Sequence, residues 1–341
     1  MKKFSFAVIL LLFSGLSASL AQTNYQISNR IHLTGNSGWD YLTVDADAAR
    51  LYVSHGTEVN VVDLTKNESV GIIPDTKGVH GIAVAKDLNK GFISNGRDTS
   101  VTIINLKTLK FIAKVKVTGN NPDAILYDPF TKRVFTFNGR SSSSTVIDAV
   151  TNKVLETIPL PGKPEFSATD NKGVIYVNIE DKSLICKINS KTMKMEKNWS
   201  IAPGEEPSGL AFDIKNNRLF SVCSNKLMVV SNPETGKVVT TLPIGNGCDG
   251  VAYDPGLKRI YSSNGEGTMT IVEQKDANNY VVLENLPTQK GARTISVDSK
   301  THKLYLPTAE YGETPAPTSE NQHPRPTLKP NSFIVLEIST K

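Results

Sequence analysis

Asp249-Gly-Val-Ala-Tyr-Asp254 decides the fold of this chain, because its pattern of polar, small, apolar, small, apolar and acidic residues keeps returning. It recurs as Asp40-Tyr-Leu-Thr-Val-Asp45, Asp123-Ala-Ile-Leu-Tyr-Asp128 and Glu165-Phe-Ser-Ala-Thr-Asp170. Ser208-Gly-Leu-Ala-Phe-Asp213 and Arg293-Thr-Ile-Ser-Val-Asp298 repeat it again, and His80 opens a further copy in which Ala85 replaces the Asp. The copies begin at 40, 80, 123, 165, 208, 249 and 293, at intervals of 40, 43, 42, 43, 41 and 44 residues. A strand-built period in the low forties is the mark of a β-propeller. A sandwich or jelly roll gives no reason for a sevenfold repeat.

Working outward, each unit divides into four strands. Strand A is the repeated segment, and a turn such as Asp128-Pro129 to Arg133 follows it, where Asp and Pro favour an Asx turn and a fixed φ. Strand B comes next (134–137, 259–263), often closed by Asn-Gly, a strong two-residue hairpin signal. Strand C is β-branched (101–106, 268–272), and a polar turn leads to strand D (238–244). The last unit runs out after Phe333 to Ile338 and lacks a fourth strand. Residues 25–33 precede the first repeat as strand D precedes strand A elsewhere. The sequence therefore predicts an all-β, seven-bladed propeller closed by the N-terminal strand, which pairs two otherwise exposed edges.

The repeats resemble the YVTN-repeat, or YncE-like, bacterial propellers. The resemblance is carried by Tyr176-Val177-Asn178, Leu51-Tyr52-Val53-Ser54, Phe92-Ile-Ser-Asn95-Gly96, Ile260-Tyr-Ser-Ser-Asn264-Gly265 and the Asp-Pro turns at 128–133 and 254–259. It spans nearly all of residues 22–341. It implies the propeller fold but little chemistry, since relatives range from DNA-binding proteins to dehydrogenase subunits and fold does not decide function.

Lys2 and Lys3, an apolar run from Phe4 to Phe13, and Ser19-Leu20-Ala21 lay out a secretory signal peptide over residues 1–21. The expected location is periplasmic or secreted, with residues 22–341 forming one propeller domain and no membrane span remaining. Removing the signal lowers the formal charge from +5 to +3. That scattered excess argues against a nucleic-acid partner, which would want a clustered basic face. Three cysteines are too few for a disulfide scaffold. Cys223 and Cys248 fall at one rim, where a bridge between blades can form, while Cys186 reads as a small buried hydrophobe.

Antiparallel strands place the start of A and the end of B on the same face, so two residue columns share a rim. The first column is Asp40, His80, Asp123, Glu165, Ser208, Asp249 and Arg293, ringing one mouth of the central channel. The second is His55, Asn95, Asn138, Asn178, Cys223, Asn264 and Thr308. Converging carboxylates repel unless a proton or cation intervenes, and Asp, Glu and Asn oxygens suit Ca²⁺ or Mg²⁺, with Zn²⁺ allowed beside a His. The expected metal ligands are Asp123, Glu165 and Asp249. The second column also has a purely structural reading as turn residues, and so does the outer Asp column from Asp45 to Asp298.

Two functions stay open on sequence. One is a binding protein for a small molecule, a metal or a protein partner at this mouth. The other is a lactonase-like, metal-dependent hydrolase or lyase with Asp123, Glu165, Asp249 and Asn138 as candidate ligands and His80 as base. The long 309–331 segment between strands B and C of the last blade lies at the same rim. It reads equally as a lid, with Tyr311, His323 or Arg325 reaching inward, and as an unstructured Pro-rich surface loop.

Overall fold

The computed structural model describes residues 25–35, 37–319, 322, 324 and 326–341. The expected signal segment 1–21 lies outside them, as do His323 and Arg325. Among the described residues there are seven four-stranded antiparallel sheets and no α-helix. Six sheets are built from consecutive strands, such as Pro122–Asp128, Arg133–Asn138, Ser143–Asp148 and Lys153–Pro159. The seventh is closed as anticipated: Tyr25–His32 pairs antiparallel with Ile334–Thr340, from Tyr25 opposite Thr340 to His32 opposite Ile334. No described helix is long and apolar enough to cross a membrane.

The hydrophobic clusters straddle blade boundaries, which is how a propeller buries both faces of each sheet. Tyr52, Val59 and Val61 of the first blade pack on Val79, Ile82, Ile93 and Ile104 of the second. Outermost strands alternate, as in Lys194–Ser200, where every second residue is exposed. That is the period-two signature of a strand with one wet face.

The outer Asp column behaves as turn chemistry. Asp45, Asp128, Asp213, Asp254 and Asp298 each accept backbone N–H groups two or three residues on. A further lock at this rim is a cation opening strand B. Arg50 reaches the Leu106 carbonyl, Lys90 the Ala149 carbonyl at 2.9 Å, Arg133 the Lys191 carbonyl at 2.8 Å and Arg218 the Ala277 carbonyl at 2.8 Å. Each acceptor belongs to the C–D turn of the next blade, so the cations tie the ring together circumferentially.

Two expectations change. The Asn-Gly pairs do not form two-residue turns: Asn95, Asn138 and Asn264 end their strands, and positive φ comes later, at Thr99 (50°), Ser142 (44°) and Gly267 (110°). The glycine N–H groups instead donate to the preceding loop, Gly96 to Gly78 at 2.8 Å and Gly265 to Gly247 at 2.8 Å. The seventh strand A, expected over 293–298, shrinks to Ser296–Val297. The Arg293 carbonyl is taken by the Ser263 hydroxyl at 2.5 Å, and its N–H turns back to Gly291 at 2.8 Å, so this stretch leaves the ladder.

Candidate functional site: a charged arc at one mouth of the channel

The ring residues sit at or beside the starts of the innermost strands, and serines of strand B hold their backbone. Ser54 accepts the Asp40 N–H at 3.0 Å, Ser94 donates to the Asp123 carbonyl at 2.6 Å, and Ser263 holds Arg293 as described. Each of these serines immediately precedes the second-column residue. The sequence reading passed over them.

Asp249, Arg293, Asp40, His80 and Asp123 form an unbroken alternation of acid and base across blades six, seven, one, two and three. Arg293 Nε lies 2.8 Å from Asp249 and its Nη2 3.3 Å from Asp40. His80 Nδ1 lies 2.6 Å from Asp40 Oδ2 and 3.3 Å from Asp123 Oδ1. Arg293 also donates to the Trp39 carbonyl at 2.9 Å. In blade four, Glu165 pairs instead with Lys163 at 2.7 Å, and Lys163 also contacts Glu180. Ser208 of blade five turns to the Cys248 carbonyl at 3.3 Å and carries no charge into the ring.

Acid outnumbers base here, and the ionisation of the carboxyls reflects it. Burial raises the Asp123 pKa, the Asp40 and Asp249 charges add to the rise, and His80 and Lys163 offset part of it. Asp249 is raised by burial and by Asp40 against the pull of Arg293. Burial and the Asp123 charge likewise raise Glu165 despite Lys163. His80 moves the other way from a typical buried imidazole. Burial pulls its pKa down, but the Asp40 hydrogen bond and the Asp123 charge outweigh this and lift it to about 9.

Asn121 also engages His80 through its side chain, and its amide donates to Asp123 at 3.3 Å. A Cβ at position 96 would fall 2.5 Å from His80 Nε2, so Gly96 is what lets the imidazole seat there. His80 is therefore a clamped imidazolium, protonated at neutral pH and ill suited to act as a general base.

Below the arc, Tyr41 crosses the axis from blade one to meet Phe166 of blade four edge-on, with ring centroids 5.1 Å apart. Its hydroxyl reaches Glu165 at 3.4 Å. Burial and then the charges of Asp123, Glu165, Asp249 and Asp40 drive its pKa well upward, so it stays a neutral phenol. A small cavity of about 20 Å³ lies beside these rings, with Gly209 and Gly250 also in its lining.

The second column does not open on the mouth. Asn95 donates to Ser100 and Thr102 at 3.1 and 2.9 Å, Asn138 to Ser143 and Thr145 at 3.2 and 3.0 Å, and Asn264 to Thr268 and Thr270, both at 3.0 Å. These are bonds from strand B to strand C within one blade, and the three asparagines are wholly buried. Asn178 locks the next blade by donating to the Ser208 and Gly209 carbonyls at 3.1 and 3.0 Å. His55 stacks on Phe333 with centroids 4.0 Å apart, and burial lowers its pKa despite bonds to Ser37. Buried polar groups are as a rule hydrogen-bonded, and the amide groups of these asparagines donate inside the protein, while Asn95 Oδ1 and His55 Nδ1 are buried without a hydrogen bond.

Among the described residues, the group matching metal-ligand spacing is Asp40, His80 and Asp123, with ligand atoms all within 4.8 Å of one another. Of the expected trio only Asp123 belongs to it, because Asp249 and Glu165 are drawn off by Arg293 and Lys163. A metal at this trio would have to displace the proton that His80 holds. The three cysteines are free thiols, and Cys248 donates to the Cys223 carbonyl at 3.1 Å.

Seven four-stranded sheets closed by the N-terminal strand define a seven-bladed β-propeller with a charged arc at one mouth. No family model matches the chain. It is similar to the uncharacterized protein YncE of Salmonella typhi, 26% identical over 149 residues, a match covering 42% of this chain and 42% of that protein. YncE of Salmonella typhimurium is 25% identical over the same length. The match thus spans less than half of either relative. A chain of Kuenenia stuttgartiensis hydrazine synthase shares the fold with a TM-score of 0.70 at 17% identity, over 81% of this chain and 94% of that one. A chain of the mitotic checkpoint complex does so with a TM-score of 0.73 at 11% identity, over 90% and 96%. Sequence and architecture together fit a YncE-like β-propeller.

Proposed function

We propose that this is an exported binding propeller whose acid-rich mouth takes a small ligand through a positively charged group. A divalent cation is the simplest case. One observation carries this reading: Asp40, Asp123, Glu165 and Asp249 converge on one mouth, and burial together with their mutual repulsion holds Asp123, Glu165 and Asp249 above the ordinary carboxylate range even with His80 and Arg293 in place. A ligand cation seated there would relieve that repulsion. Tyr41 beneath the mouth gives the site a floor.

A hydrolytic role for the same residues is less well supported, because it asks His80 to accept a proton it already holds. The test is calorimetric titration with Ca²⁺, Mg²⁺, Zn²⁺ and putrescine, on the native protein and on Asp123→Asn. Saturable heat with at least one cation, lost in the variant, is expected. Silence from all four at millimolar concentration would end the proposal.

A further inference from the structure

Beside the arc, and sharing Arg293 with it, lies a cleft of about 500 Å³ lined by Trp39, Lys290, Arg293, Tyr311, Pro326 and Leu328. No carboxylate is among its described lining residues, in contrast to the mouth next to it. We propose that this cleft binds a small organic anion with a flat apolar body, its acidic group at Lys290 and its ring against Trp39 and Tyr311.

The walls are built into the fold. Trp39 is anchored on Phe333 and faces Tyr311, with centroid separations of 5.7 and 6.3 Å. Tyr311 starts the 309–331 arm and bridges to Leu328 at its other end, where Gly312 also donates to the Thr327 carbonyl at 2.8 Å. Gly291 sits at φ 86°, and a Cβ there would come within 2.3 Å of the Tyr311 hydroxyl. A positive-φ glycine thus seats the tyrosine wall.

The charge is placed as deliberately. The Lys290 ammonium lies over the Tyr311 ring, 5.8 Å from its centroid, and its backbone is pinned by Thr308, which donates to the Lys290 carbonyl at 2.8 Å. Arg293 is already engaged by Asp249 and Asp40, so Lys290 carries the recognition of the anion while the Arg293 guanidinium adds its field. One ammonium over an aromatic face, a second cation beside it, and the apolar Leu328 and Pro326 in the same lining suit an aromatic carboxylate.

This inference does not depend on cation binding at the mouth. The test uses Trp39 fluorescence in a Trp199→Phe background, since the sequence contains two tryptophans. Benzoate and indole-3-acetate are titrated, with benzyl alcohol as the uncharged control. Saturable change with at least one anion is expected, weakened about five- to tenfold by Lys290→Gln and for benzyl alcohol. Lys290 is exposed, so its replacement leaves the fold intact, and the thermal midpoint verifies this. Absence of saturation by roughly 10 mM anion, or an equal response to benzyl alcohol, or indifference to Lys290→Gln, would each overturn the proposal.

Discussion

The Ser263 hydroxyl holds the backbone carbonyl of Arg293 at 2.5 Å, across the boundary between the sixth and seventh blades. It also reaches the Gly250 carbonyl at 3.1 Å. Ser263→Ala would leave buried carbonyls short of a partner at the one place where strand A has left its ladder. A loss of about 1–3 kcal/mol in denaturant unfolding is expected. Ser231→Ala is the control: that buried hydroxyl has no hydrogen-bond partner, and its removal should cost under about 0.5 kcal/mol.

His80 makes stability depend on pH with a definite sign. Its pKa rises from 6.5 to about 9 on folding. The stabilisation is thus complete below pH 6.5 and fades as pH climbs through about 9. The native protein should exceed His80→Gln by about 1–3 kcal/mol near pH 6. Chemical denaturation across pH 6 to 10 should show the gap closing. A gap that widened with pH would contradict the clamped imidazolium.

Tyr41 is predicted to matter through its ring more than its hydroxyl. Tyr41→Ala opens the axis and should cost about 3–5 kcal/mol. Tyr41→Phe keeps the contact with Phe166 and forfeits only the long 3.4 Å bond to Glu165, a change within about 1 kcal/mol. Thermal unfolding of the pair separates the two contributions.

The cations that open strand B should act independently. Arg133→Met breaks the tie to the fourth blade and Arg218→Met the tie to the sixth, each expected to cost about 1 kcal/mol at these half-exposed sites. Because they lie in separate clefts, the double variant should equal the sum within about 0.5 kcal/mol. A large deviation would mean that the blades do not share load locally.

The architecture was readable because a period survives without coordinates: the Asp at the end of strand A reports its own turn wherever it occurs. The mouth was readable in part, since the same register aligned Asp40, His80, Asp123, Asp249 and Arg293. What the register could not reveal was pairing. Lys163, two residues before Glu165, draws that carboxylate out of the metal set, and no periodic signal marks it. The asparagine column stayed open between two readings for a related reason, because a residue at the end of strand B can face the mouth or the next strand, and in the structure Asn95 and Asn264 donate to the Ser100, Thr102, Thr268 and Thr270 hydroxyls of strand C. One signal was present and unused. The second position of strand A is small in Gly81, Ala124, Gly209, Gly250 and Thr294, but aromatic in Tyr41 and Phe166. Those two exceptions are the residues that meet across the axis.

That meeting sets an aromatic brace on the axis beneath the charged arc, Tyr41 coming from blade one and Phe166 from blade four. Blades one and four, which share no edge around the ring, are thereby tied through its middle, so a change in either ring is transmitted to a blade on the far side.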